Sequence, residues 1–169
     1  MNALELTTAR ALLRPFTAAD ADDAFACLSP GLTRWMAWEP PASTQAFAAI
    51  WRVWLETAER GEELHWVARE RETRRFLGLI GAHRLNSARP ELGIWLRQDI
   101  HGQRFGHELI GAVVAWVSRT YTIESIRYPV AEQNIASRRI AEAYGGEVVA
   151  RHATAKYPQV VYRLPPHAT

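Results

Sequence analysis

With 169 residues, 48% of them hydrophobic, the chain can bury one sizeable core and is too apolar to remain disordered. Its 20 Lys and Arg against 18 Asp and Glu leave a formal net charge of +2, so no basic field implies a nucleic-acid partner. The apolar stretches are too short for a membrane span, "MNALELTTARALLRPF" carries charges where a secretory leader needs an apolar core, and the lone Cys27 suits a reducing compartment, so a cytoplasmic protein without a membrane partner is expected.

In chain order, "ALLRPF" (11–16) reads as a first strand. "TAADADDAFACLS" (17–29) reads as a helix, with Thr17 as its cap and acids in its first turns. The proline-rich stretch 29–43 reads as a loop. A helix then starts at a Ser43 or Thr44 cap and stops at Gly61, with Phe47, Ile50, Trp51, Trp54 and Leu55 on one apolar face. Core packing is the role read for Trp51 and Trp54. "LHWVARE", "RFLGLIGAHRL" and "PELGIWLRQ" read as three successive strands and "GHELIGAVVAWVSRTY" as a helix. "IESIRYPVAEQ" reads as a strand, "NIASRRIAEAYGG" as a helix ended by Gly145 or Gly146, and "EVVARHATAKYPQVVYRL" as a strand pair. The order β-α-α-β-β-β-α-β-α-β-β predicts a single α+β (α/β layered) domain over 1–169.

Several chemistries are excluded by missing motifs. "HELIG" has Gly111 where a zinc-protease helix needs its second His, and no GxxxxGK[ST], GxSxG or early GxGxxG occurs. The six histidines show no ligand spacing, so no metal is expected. Two segments remain. After strand "LGIWL", "HGQRFGHE" leads into a helix whose first N–H groups lack internal partners and carry the positive end of the macrodipole. Gly102 and Gly106 would let an anion such as a pyrophosphate approach that backbone; alternatively, the stretch is only a turn. Farther on, Asn134 can cap the helix of "NIASRRIAEAYGG".

Together, "LGIWLRQDIHGQRFGHELI" and "NIASRRIAEAYGG" resemble the IGYWL-x5-(R/Q)GxGYAxEA and NxxSxRVxEKxGF patterns of the GNAT acyl-CoA N-acyltransferases, closest to their ribosomal-protein N-terminal acetyltransferase branch. The opening "TTARALLRPFTAADADDAF" and the loop "WMAWEPP" are similar to other segments of that branch, so the resemblance spans nearly the whole chain. It implies a mostly antiparallel mixed sheet of about seven strands flanked by about four helices, and transfer of an acetyl group from acetyl-CoA to a primary amine on a small molecule or protein N-terminus. It further implies that the turn His101, Gly102, Gln103, Arg104, Phe105 and Gly106 takes the pyrophosphate, that the strand edge ending at Trp95 and Leu96 pairs with the pantetheine arm, and that Asn134 bonds that arm. Glu91, at the head of the strand, is the base candidate or a solvent charge. Ser137 is the acid candidate or a cap. Trp35 and Trp38 either wall the substrate or pack.

Two positions depart most from the pattern; in addition His101, a weaker phosphate partner than Arg, stands at the Arg/Gln position and Phe105 at the Tyr position. Arg104 replaces the central glycine, which requires a negative φ or strain of about 1–2 kcal/mol. Ala141 stands where many members carry a tyrosine acid, and Tyr144, three residues on, should point elsewhere. An acyl-CoA sensor of little activity, and a helix-turn-helix DNA reader formed by 136–157, are the competing readings. Apolar residues on helix and strand edges allow a homodimer.

Overall fold

The computed structural model describes residues 4–167. Its eight strands are β1 (Leu6–Thr7), β2 (Ala11–Pro15), β3 (Leu64–Glu70), β4 (Phe76–His83), β5 (Glu91–Leu96), β6 (Ile126–Ala131), β7 (Glu147–Ala153) and β8 (Pro158–Leu164). They form one mixed sheet in the order β1-β2-β3-β4-β5-β6-β8-β7, antiparallel at every neighbour except β5 and β6. The α-helices are α1 (Ala21–Cys27), α2 (Pro30–Thr33), α3 (Thr44–Glu59), α4 (Phe105–Thr120) and α5 (Ile135–Ala143).

The layered architecture matches the pattern, with three local differences. The sheet has eight strands rather than seven because Leu6 and Thr7 pair with Leu13 and Leu12, a two-residue element too short to leave a period. Within 17–29 the chain first makes a 3-10 turn at Ala18–Asp20 and only then α1. The loop 29–43 holds the one-turn helix α2, which Ser29 caps by accepting from Leu32 N at 3.1 Å and which Pro30 starts. The strand pair expected after Gly146 is present, and the competing helix-turn-helix reading is overturned. After Gly145 the chain enters β7, which pairs with β8 through Val148 and Ala150, as the β-branched residues there favour.

The sheet is covered on both faces. On one, Leu109, Ile110, Val113, Val114, Trp116 and Val117 of α4 pack on Leu77, Ile80, Ala82 and Leu92. On the other, Ala24 of α1 and Phe47 of α3 pack on Phe16, Val67, Phe76 and Leu79. Ser43 caps α3 by accepting from Ala46 N at 3.0 Å, as the sequence allowed.

Asp20 ties α1 to the sheet. Its fully buried carboxylate pairs with Arg14 at 2.7 Å and Arg69 at 3.0 Å and accepts from Thr17 N at 3.0 Å. Burial alone would raise its pKa, but the hydrogen bonds from Arg69, Thr17 and Arg14 outweigh it and hold the carboxyl below its ordinary value.

Because the unfolded chain takes up this proton first, the Asp20 contribution is complete above about pH 4 and is lost as pH falls through the lower folded value. Asp20→Asn should therefore cost about 3 kcal/mol at pH 7, the low end for one partner of a buried pair because both arginines remain partly exposed. Urea denaturation should show that difference narrowing below about pH 4; a difference independent of pH would contradict the electrostatic account.

Candidate active site

β5 and β6 run parallel, so no hairpin joins them, and each leads through a short connection into a helix, β5 into α4 and β6 into α5. They share a single register pair, Glu91 with Arg127. Beyond it they separate, β6 continuing to pair only with β8 through Ala131. The resulting gap is walled by Ile94, Trp95 and Leu96 on one side and by Asn134, Ser137 and Ile140 on the other. The N-termini of α4 and α5 therefore open at the same mouth, with their positive dipole ends toward it.

At the α4 end, a cavity of about 380 Å³ is lined by His101, Gly102, Arg104, Phe105, Gly106 and Arg139, among others. Gly102 takes φ 82°, a left-handed conformation that glycine reaches without a Cβ penalty. Arg104 does not have the negative φ that would have spared it strain: it is the helix cap at φ 64°, ψ 15°. The turn is divided in its use. The His101 and Gln103 amides already donate to Gln98 O (3.2 Å) and Ile100 O (3.3 Å). The His101 ring meets Leu96 O at 2.9 Å, and Gln103 Nε2 reaches Asp99 O at 3.4 Å. Gln103 thus engages Asp99 and is not among the residues that line this cavity. Phe105 is a core side chain beneath Arg10, so only its backbone N–H faces the turn. Arg139, which the sequence reading assigned no site role, brings a second cation to the same cavity.

In the middle of the gap, Asn134 Oδ1 accepts from Ser137 N at 3.2 Å and so caps α5. Ser137 Oγ lies 2.8 Å from the Tyr128 hydroxyl. Burial pushes the Tyr128 phenol up to about 12, the bond with Ser137 only partly opposing it, so this hydroxyl stays protonated. Tyr128 had no motif to mark it. Tyr144 does point elsewhere: its hydroxyl donates to His107 O at 2.7 Å and packs over Gly111.

On the α3 face, a cavity of about 530 Å³ is walled by Trp35, Trp38, Trp54, Trp95 and Tyr157, with His65, His83 and Glu91 on its floor. It shares Trp35, Met36, Trp95, Asn134 and Ser137 with the middle cavity, which in turn shares Leu96, His101, Gly106 and Ile140 with the α4 cavity. One channel therefore crosses the sheet. Trp35 and Trp38 both reach the site, Trp35 packing edge-on against Tyr157 at 6.3 Å. Their loop is clasped to the β7–β8 turn by Lys156, whose Nζ donates to Thr33 O (3.0 Å) and Trp38 O (3.2 Å). Trp54 is not core alone: it stacks on His65 at 4.4 Å and lines the cavity. Glu91 faces the cavity while Arg127 Nε approaches its carboxylate at 3.3 Å. Donor atoms of Glu63, His65 and His83 lie within 4.8 Å of one another, a grouping that the long separation of the two histidines in sequence hid from any spacing rule.

The profile of the acetyltransferase (GNAT) domain matches residues 10–147. The uncharacterized N-acetyltransferase YoaA of Bacillus subtilis is 28% identical over 138 residues, 80% of this chain and 78% of that one. Among solved structures, RimL, the ribosomal L7/L12 α-N-protein acetyltransferase in complex with coenzyme A, superposes with a TM-score of 0.83 at 12% identity, over 95% of this chain and 97% of that one. Mycobacterium smegmatis RimJ, in complex with a CoA-disulfide, gives a TM-score of 0.80 at 15% identity, over 92% and 81% of the two chains.

The left-handed Arg104 should show itself in stability. Arg104→Gly removes a strain of about 1–2 kcal/mol and adds about 0.5–1 kcal/mol of backbone entropy loss, so the variant should be as stable as the parent or more so by up to about 1.5 kcal/mol. Arg104→Val, β-branched at the same φ, should be less stable than the parent. Chemical denaturation reads both, and a destabilised Arg104→Gly would contradict the conformation described.

Proposed function

Because the chain belongs to the GNAT acetyltransferase family and is an acyl-CoA-dependent N-acetyltransferase, we propose that it passes the acetyl group of acetyl-CoA directly to a primary amine within a ternary complex, the amine being carried by a small molecule or a protein N-terminus. One observation carries the reading: the channel through the β5–β6 gap has a cationic, amide-rich end, a narrow middle holding Asn134 and Ser137, and an aromatic far end.

The chemistry divides accordingly. Acetyl-CoA brings the activated acyl group and a thiolate leaving group. The first-turn amides of α4 from Arg104 to Gly106, with Gly102 shaping the approach, suit the diphosphate, and the Arg104 and Arg139 guanidinium groups add charge-assisted bonds beside it. The His101 ring fixes the end of β5 by its contact with Leu96 O rather than by gripping phosphate. The β5 edge at Trp95 and Leu96, facing Asn134 across the gap, holds the arm. Ser137 gives a proton to the departing thiolate and regains one from the reacting nitrogen, while Tyr128, kept protonated by its raised pKa, holds the Ser137 hydroxyl in place at 2.8 Å. Glu91 is the carboxylate lining the aromatic pocket, and it draws the ammonium form of the acceptor inward. Trp35 and Trp38 wall that acceptor. No metal has a step in this scheme.

Acetyl-CoA at a hundred times its dissociation constant should stabilise the fold by about 2.7 kcal/mol, read as a rise in melting temperature, while NAD does little. Arg104→Gly should bind acetyl-CoA more weakly at low salt, with the difference narrowing as salt rises. No thermal shift at millimolar acetyl-CoA would sink the acyltransferase reading, and a shift without acetylation of any amine would favour a sensor.

Ser137 and Asn134 should separate in kinetics. Ser137→Ala should lower kcat by about 10²-fold and leave acetyl-CoA affinity nearly intact. Asn134→Ala should do the reverse, weakening affinity and costing about 1 kcal/mol of stability through the lost cap. Equal turnover in Ser137→Ala and the parent would leave the serine a structural role only.

A further inference from the structure

The floor of the aromatic pocket is built by sheet register. His65, Gly81 and Gly93 are partners across β3, β4 and β5, so two neighbouring positions have no side chain and form a trough. The next row holds Glu63, His83 and Glu91: His83 is the register partner of Glu91, and Glu63 meets it from the other side. Glu63 Oε1 lies 3.2 Å from His83 Nδ1, which fixes the ring. The opposite nitrogen, Nε2, hangs over the trough, since a Cβ built on Gly81 would come within 2.8 Å of it. A carboxylate holding Nδ1–H leaves the Nε2 lone pair facing the pocket.

We propose that His83, oriented by Glu63, takes the proton from the acceptor ammonium, a role that rests on the N-acetyltransferase reading. The residue pattern had pointed to Glu91 for this step. In the fold Arg127 already shares the Glu91 carboxylate, so Glu91 attracts the ammonium and His83 deprotonates it. The other groups facing His83 fit the division. His65 meets it edge-on at 5.2 Å but is stacked on Trp54, and burial, with His83 adding to it, holds the His65 imidazole down at about 3. His65 Nδ1 is enclosed without a hydrogen-bond partner among the described residues, so this ring stays a neutral wall. Protons balance. The ammonium gives one proton to His83 Nε2 and the freed amine attacks the acyl carbon. As the N–C bond forms and the C–S bond breaks, the nitrogen sheds a second proton and the thiolate gains one through Ser137. The imidazolium then returns its proton to solvent, to which the His83 side chain is one-third exposed.

The test uses phenethylamine, spermidine and a short peptide with a free N-terminal serine as acceptors, the fastest serving for the full series. Acetyl-CoA-induced thermal shifts are measured on every variant. His83→Gln should keep the parent's shift, lose about 10²-fold in kcat at pH 7, and recover toward parent rates above the amine's own pKa. His83→Ala should regain activity with added imidazole. Glu63→Gln should lose less than His83→Gln, and Glu91→Gln should act mainly on KM for the amine. Three results overturn the proposal while leaving the acyltransferase reading intact: parent kcat in His83→Gln at pH 7, a defect of equal size at every pH, or activity lost to a chelator and restored by Zn²⁺, which would make the Glu63–His65–His83 group a metal site. A parent protein that shows no shift with acetyl-CoA, or acetylates none of the three amines, overturns both.

Discussion

The site depends on one short contact between two parallel strands. β5 and β6 share the single register pair Glu91–Arg127, and then part. Had they stayed zipped, their edge groups would be consumed in ladder bonds and the sheet would be closed to ligands. Because they part, a strip of backbone is left with unused hydrogen-bonding capacity at the centre of an otherwise continuous sheet, where the cost of leaving it unpaired is high. In the proposed reading, a cofactor arm that can pair like a strand would satisfy that strip. The parallel direction places both following helices, α4 and α5, with their N-termini at the same opening.

Two clasps hold the walls of that opening. Glu108 in the first turn of α4 accepts from Thr8 Oγ1 (2.5 Å), Arg10 N (2.8 Å) and Arg10 Nε (2.7 Å), so the start of the helix is pinned to the β1–β2 turn. Burial would raise the Glu108 pKa, but the bonds from Thr8 and Arg10 prevail and keep it low and the clasp charged. The other clasp is Lys156, which holds the carbonyls of Thr33 and Trp38 and so fixes the tryptophan-bearing loop over the aromatic pocket. The α4 end of the channel is thus anchored by the N-terminal strands and the aromatic end by the C-terminal hairpin.

What could be read from the sequence was what is local along the chain. The turn 101–106, the Asn134 cap and the serine three residues later lie in short segments whose residue types state their own geometry, and the alternation of periods gave the order of layers. What the sequence hid is made by register. Tyr128 reaches Ser137 because β6 lies beneath the start of α5. Arg139 joins Arg104 because the two helices share a mouth. Trp54 turned from core residue to pocket wall because His65 stands opposite it on β3, and Glu63, His65 and His83 meet only because β3 and β4 are antiparallel. The φ of Arg104 was set by the turn rather than by the residue's preference, so of the two alternatives, a negative φ or tolerated strain, the second holds, and the helix starts directly after it.

Backbone protection tests the central claim most directly, since the β5 edge and the α4 turn should be satisfied by one ligand. Hydrogen–deuterium exchange, compared with and without acetyl-CoA, should show slowed exchange confined to peptides covering 92–106 and the start of α5 at 134–137, with β7 and β8 unchanged. Unaltered exchange across 92–106, or protection centred elsewhere in the sheet, would contradict the account.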